Sequence, residues 1–265
     1  REKQRIGINP FSFGFIGSTD NHMASSGSVS ELGAPGKFPG NNQDLLTIIN
    51  KKRAPAFQNP GGLAGVWAEE NSRDSIFDAI KRRETFATSG PRITPRFFAS
   101  WQPMTDWCEK ENFVSRGYRG GGPMGGHLKK TSYDNSPYFS ASAIADPGTT
   151  ILPGGLLQQI QIIKGWLGED NKFHQKIVSV AGNPNNGANV DLSTCQPYGT
   201  GQKELCGAWQ DPDFDPHINA VYYARVVENP SCRWSTHLCL RLDLEDRTDG
   251  CDAQRIPKII QERAW

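Results

Sequence analysis

Apolar and polar positions keep one rhythm over the first hundred residues and another after it. Phe13 to Ile16 form an apolar run that ends abruptly at Gly17 and leads into "STDNHM", so residues 5–23 predict a strand and its C-terminal loop. Residues 24–42 are rich in Gly, Pro, Ser and Asn. "NQDLLTIINKKR" then predicts a short helix, with Leu45, Leu46, Ile48 and Ile49 on one face and Lys51 to Arg53 at its negative end. "GGLAGVWAEE" (61–70) reads as a glycine-punctuated strand. "NSRDSIFDAIKRRETFATSG" reads as the clearest helix of the chain followed by a strand. Asn71 or Ser72 caps this helix, Asp74 sits in its first turn, Lys81 to Arg83 lie in its last, and Ile76, Phe77 and Ile80 make its buried stripe. Strand, helix, strand at this spacing is the βαβ grammar of an α/β domain.

After Arg92 the pattern turns to strands. "RITPRFFASW" predicts one, and "SRGYRGGGPMGGHL" (115–128) reads as a glycine-rich loop. "YFSASAIAD", "LQQIQIIKGWL", "FHQKIVSVAG" and "NAVYYARVVENP" predict four more. The second of these alternates Gln with Ile, the sign of a sheet with one solvated face. The last is apolar on both faces, which places it centrally. A β-sandwich-like module is the natural outcome.

Composition narrows the class without changing this outline. The 265 residues are 36% hydrophobic and 22% charged, with 28 Gly and 18 Pro, the profile of a globular chain with long loops. A formal net charge of +1 and the lack of a basic stripe give no electrostatic basis for binding nucleic acid. No run of apolar residues is long enough for a membrane span, and no signal peptide is visible.

Cysteine usage does change the picture. Cys195, Cys206, Cys232, Cys239 and Cys251 crowd the C-terminal part, Cys108 stands upstream, and none forms a C-x-x-C pair. That spacing argues against a zinc ribbon or a thioredoxin-type motif. Cysteines beside Gly, Pro and Asn in loops point to disulfides closing those loops, in an oxidising compartment. Six cysteines allow 15 full pairings, and the sequence does not choose among them.

Asp20 and His22 are the sharpest chemical feature. At i and i+2 of an extended segment they share a side, and carboxylate and imidazole are ordinary ligands for Zn, Mn or Fe. The end of an apolar strand is where α/β folds keep their sites. On spacing alone, an Asp-capped turn beside a surface His is the better account of them.

"GINPFSFGFIGSTDNH" resembles the D-x-H block of the polymerase-and-histidinol-phosphatase (PHP) superfamily of metallo-hydrolases. "GGLAGVWAEENSRDSIFDAIKRRETFATSGPRI", "GGGPMGG", "LQQIQIIKGW", "DPDFDPHINAVYYARVVENPSCRWST" and "IPKIIQERAW" extend the likeness, in order, to a large and mostly uncharacterised bacterial family of that superfamily. The resemblance implies an α/β plus β fold. Residues 1–100 would be the C-terminal strands and helices of a distorted (β/α)7 PHP-type barrel. Residues 101–136 would form a Gly-rich linker or rim loop, and 137–265 a mostly β module with disulfides.

It implies further that members begin with an H-x-H strand and later His and acidic ligands that these residues do not contain. The chain then represents the C-terminal portion of a larger, exported (periplasmic or secreted) hydrolase, with Asp20 and His22 as its contribution to a site of two or three divalent ions. Its partners would be the missing N-terminal half and a small-molecule or phosphoester substrate. Alone, the portion is expected to bind metal weakly and to be inactive. The competing expectation is a non-enzymatic β-sandwich that binds a glycan or a protein, with Trp101, Trp107, Trp209 and Trp234 available for stacking on sugar.

Other features carry lesser expectations. Thr88, Ser89 and Arg92 in "ATSGPRI" suit an anionic substrate group, since an arginine fork donates two hydrogen bonds, or else a Gly-Pro turn. Glu69 and Glu70 suit the positive end of the helix that follows. "DPDFDP" (211–216) lacks the Gly and distal Glu of an EF-hand loop and reads as a Pro-braced turn. His127 is not counted as a ligand, His174, His217 and His237 read as structural, and no serine or cysteine nucleophile motif is present.

Overall fold

The computed structural model describes residues 2–9, 12–19, 61–104, 106–109, 111–128, 135–150, 153–241, 251 and 256–265. Their architecture is mostly β, with a few short helices. The elements are α1 (Glu2–Ile6), β1 (Leu63–Val66), α2 (Arg73–Arg82), β2 (Thr85–Thr88), β3 (Thr94–Ser100), α3 (Phe113–Gly120), β4 (Gly122–Pro123) and β5 (Tyr138–Ile144). There follow β6 (Leu157–Leu167), β7 (Phe173–Gly182), β8 (Asn189–Val190), β9 (Pro197–Tyr198), β10 (Glu204–Gln210) and β11 (Ala220–Glu228). β12 (Ser231–Cys232), α4 (Trp234–Leu240), β13 (Ile259–Ile260) and β14 (Arg263–Ala264) complete the chain.

Two antiparallel sheets carry the structure. A six-stranded sheet runs β1-β2-β14-β11-β6-β7, and a four-stranded one runs β10-β5-β3-β4. Their facing sides close on one core: Phe97, Phe139, Ala141 and Ala143 from the smaller sheet meet Ile160, Ile162, Ala224, Val226 and Ala264 from the larger. Burying each of the larger aliphatic side chains contributes about 1.5–3 kcal/mol. The other face of the smaller sheet is covered by Met104, Trp107 and Phe113, which enclose Phe98. Gly117 of α3 lets that helix sit directly on Phe98, since a Cβ there would lie 2.5 Å from the ring.

The β-sandwich expectation is met, and among the described residues the sheets are antiparallel with no closed barrel. The βαβ expectation fails locally. β1 and β2 flank α2 but pair directly with each other and antiparallel, Leu63 opposite Thr88. The helix itself is where it was expected, capped by the Ser72 hydroxyl on the Ser75 N–H at 3.3 Å. Its stripe is not buried as expected: Ala79 is its buried residue, while Phe77 is 63% and Ile80 45% exposed. Amphipathicity defines an apolar face but not what lies against it. Arg83, left-handed at φ 65°, ends the helix and donates to the Gly125 carbonyl at 3.0 Å.

Two further expectations are corrected. Part of 115–128, read as loop, lies in helix α3. β6, read as half-solvated, is buried along most of its length, with β7 and β11 at its edges and the smaller sheet against its Ile160 and Ile162 face. Its glutamines are satisfied within the protein: the Gln159 carbonyl oxygen accepts from Gln161 at 3.1 Å and from Ser179 at 3.2 Å. The alternating strand is β7, at the sheet edge.

All six cysteines are paired, as Cys108–Cys206, Cys195–Cys232 and Cys239–Cys251. The bridges place the folded chain in an oxidising compartment. Among the described residues no helix is long and apolar enough to cross a membrane.

Burial, reinforced by Arg241, pushes the pKa of His237 in α4 below the usual imidazole value. The unfolded chain therefore binds the extra proton more readily. This group's contribution to stability is present above about pH 6.5 and is lost as pH falls through the depressed folded value. The variant His237→Gln should show a smaller loss of Tm than the native chain between neutral pH and pH ~5, read by thermal melts across that range.

Candidate functional site

Asp20 and His22 lie outside the described residues. The stretch that leads to them, residues 12–19, is described, and its attachment is built on glycine. Gly17 lies so close to the β1–β2 pair that a Cβ would stand 2.5 Å from the Leu63 carbonyl oxygen and 3.2 Å from that of Thr88. Reciprocally, a Cβ on Gly62 would stand 2.4 Å from the Ser18 carbonyl oxygen. The Thr85 hydroxyl donates to the Phe15 carbonyl at 2.6 Å, Phe15 packs on Tyr223 with ring centroids 5.0 Å apart, and Ser12 Oγ bonds His127 Nε2 at 3.2 Å. His127 thus helps to anchor this segment.

A Gly17→Ala substitution should force the segment off the strand pair. The expected results are faster amide exchange at Phe15–Ser18 and a stability loss of about 1–3 kcal/mol, the usual cost of overpacking. Hydrogen exchange with mass spectrometry checks both site and extent.

The clamp brings Ser18 beside Gly62, and Gly62 precedes the Leu63–Thr88 pair, so the described end of the segment meets the stretch holding Thr88, Ser89 and Arg92. Thr88 is buried and its hydroxyl accepts from the Gly90 N–H at 3.3 Å. The Ser89 hydroxyl donates to the Glu262 carboxylate and accepts from the Arg263 N–H at 2.8 Å, stitching β2 to the C-terminal strand. The Arg92 backbone N–H donates to the buried Asp146 carboxylate at 2.7 Å, and its side chain is exposed. Ser89 was expected as an anion ligand or as part of a Gly-Pro turn; its pairing role was invisible because its partners lie 173 and 174 residues away.

Among the described residues no group of three or more His, Cys, Asp or Glu is arranged to hold a metal. Glu69 and Glu70 precede α2, where their backbone N–H groups donate to the Ser75 hydroxyl at 3.1 and 3.3 Å. Trp107 and Trp234 are buried, and Trp209 stacks on Phe139 against the core, so these three indoles serve packing.

A second cluster escaped the sequence reading. Lys164 of β6, only 7% exposed, donates to the fully buried Asp211 carboxylate at 2.6 Å and to the Asp213 carbonyl at 2.7 Å. The Tyr222 hydroxyl donates to the same Asp211 oxygen at 2.7 Å, and burial with that carboxylate pushes the phenol pKa far above its usual value. Asp211 Oδ1 accepts the Asp213 N–H at 3.1 Å, and Asp215 accepts the His217 N–H at 2.7 Å. "DPDFDP" is thus a turn pinned to the sheet by a buried lysine. A lysine directly after the apolar Ile162–Ile163 pair of the strand was the available signal.

Fold and bonding define a disulfide-stapled β-sandwich protein whose N-terminal segment is clamped along one strand pair. The chain belongs to the family described as "Protein of unknown function (DUF3604)", whose model matches residues 1–265. No curated protein and no solved structure matches it.

Proposed function

We propose that this chain is part of a metal-dependent hydrolase of the PHP type, acting on phosphoester bonds in the periplasm or outside the cell. The observation that carries the reading is the clamp on residues 12–19. A backbone held within van der Waals contact of a strand pair is a rigid base for the D-x-H residues that follow, and rigid bases are what catalytic ligands need.

Asp20 and His22 have the right donor chemistry for Zn, Mn or Fe, but two donors fall short of the three a catalytic ion requires. The described residues add no further cluster. Bound divalent ions would supply a water of lowered pKa and neutralise charge at the phosphoryl oxygens. The remaining ligands belong on the N-terminal half of the same protein. Its docking surface is the exposed apolar set of Ile16, Phe77 and Ile80, together with β1, which pairs only with β2 among the described residues. The barrel stays an expectation of the resemblance, since β1 and β2 pair antiparallel within the six-stranded sheet.

Elemental analysis and intact mass of the natural protein test the reading together. The expected result is two or three Zn, Mn or Fe per molecule in a chain longer than this one, with hydrolysis of bis(p-nitrophenyl) phosphate. Asp20→Asn and His22→Ala should each lower bound metal and cut the rate by more than about a hundredfold, beyond what loss of a group supporting a ligand costs. The 265 residues alone should be inert and regain activity on mixing with the N-terminal half. Full activity without that half, or a metal-free native protein, would overturn the proposal.

A further inference from the structure

At one end of the sandwich the core opens into a cleft of about 380 Å³. Its walls are Lys164 and Trp166 of β6, Lys176 of β7, Tyr222 of β11, and Asp213 and Phe214 of the pinned turn. Sheet register explains the gathering. Lys164 lies opposite both Lys176 and Tyr222, and Trp166 opposite His174, so these side chains emerge together.

The cleft is built rather than incidental. Lys164 and Asp211 hold the turn to the sheet from inside, and Lys176 pairs with the Asp213 carboxylate at the mouth. Trp166 is stacked on the His174 ring at 5.5 Å, and Phe214 meets Trp101 in a T-shaped contact at 5.6 Å. Tyr222 is backed by Phe139 at 4.3 Å. The Lys164 ammonium lies over the Trp166 and Tyr222 rings, 5.3 and 5.8 Å from their centroids, so the partly exposed surfaces of Phe214 and Trp166 are what the cleft offers a ligand.

Its chemistry selects a ligand class. Lys164 is neutralised by Asp211 and Lys176 by Asp213, which leaves the single carboxylate of Asp215 among the lining charges, so no strong net field draws in a highly charged ligand. Phe214 and Trp166 offer apolar surface, while the ammonium and carboxylate groups of the Lys176–Asp213 pair offer donors and acceptors at the rim. A neutral ring with an apolar face and hydroxyls around its edge satisfies both. The volume falls at the lower end of the range for small-molecule sites, room for one or two sugar rings.

We propose that this cleft binds a neutral saccharide, with Trp166 and Phe214 as stacking platforms and Lys176 and Asp213 as hydroxyl partners. The proposal uses neither Asp20 nor His22, so its test stands or falls independently of the hydrolase reading.

Calorimetric titration of the full chain with maltose, cellobiose and N,N′-diacetylchitobiose tests it, with glucose 6-phosphate and galacturonate as charged probes. At least one neutral disaccharide should bind saturably, with an affinity that changes little between low and high salt. Phe214→Ala and Trp166→Ala should each weaken it by about tenfold, equivalent to about 1.4 kcal/mol. Phe214 lies on a surface turn, so that variant keeps the test available if Trp166→Ala unfolds. Circular dichroism establishes the fold of each. Failure of every neutral probe, binding indifferent to Phe214→Ala, or binding confined to the charged probes and abolished by salt would each overturn the proposal.

Discussion

Replacing Cys108 and Cys206 together by serine is expected to destabilise the protein by about 4 kcal/mol and lower Tm by about 10 °C. The bridge spans 98 residues and joins the loop that carries Met104 and Trp107 to strand β10. Cutting it frees the unfolded chain, an effect that the loop-entropy treatment puts at about 4.7 kcal/mol for a loop of about a hundred residues. It also loosens the cover over Phe98. Cys239–Cys251 spans only 12 residues, and its removal should cost less, about 3 kcal/mol. Denaturant titration of the two double variants ranks them. Equal costs, or a loss under about 1 kcal/mol for Cys108–Cys206, would show that the cover is held by packing alone.

The second large effect centres on Lys164. Lys164→Met should destabilise by about 3–5 kcal/mol, because it leaves the fully buried Asp211 carboxylate with the Tyr222 hydroxyl and one backbone N–H but no cation. Lys164→Met combined with Asp211→Leu should recover most of that loss, since an apolar pair of similar size avoids desolvating two charges. A double-mutant cycle measures the coupling directly. If the double variant is as unstable as the sum of the singles, the pair is not a unit, and the turn is held by Tyr222 and Pro-braced geometry instead. Because Lys164 also lines the cleft, the stable double variant would show whether the turn keeps its position without its charges.

Local signals in the sequence were reliable where the physics is local. The Ser72 cap, Asp74 in the first turn and the basic last turn place α2 within a residue or two, because they act on orphan backbone groups of that helix. Cysteines in Gly- and Pro-rich loops, without C-x-x-C spacing, were enough to expect disulfides, and all six are paired. Strand segments after Arg92 were legible from their apolar content. The D-x-H stretch was legible as chemistry, and the glycines that clamp the segment before it were quoted without their purpose being evident.

What was missed is non-local. β6 alternates Gln and Ile as a half-solvated strand would, yet it lies between β7 and β11 with its polar side chains bonded internally. Periodicity reports which side chains differ, not which face meets water. The same limit explains α2, whose apolar side chains were expected to be buried and are exposed at Phe77 and Ile80. It explains β1 and β2, whose order suited a parallel unit although they pair antiparallel.

By itself, then, the sequence determined the strand segments, the capped helix, the oxidised cysteines and the residue types able to hold a metal. These follow from backbone capping, side-chain period and thiol chemistry, which act over a few residues. Tertiary structure alone decided which cysteine meets which, that Ser89 ties the end of β2 to the C-terminal strand, and that Lys164 and Asp211 meet in the interior behind an aromatic cleft. Each of those contacts links positions 12 to 174 residues apart. Such contacts form only because two sheets must close on a shared core, and no short-range pattern encodes where that closure brings them.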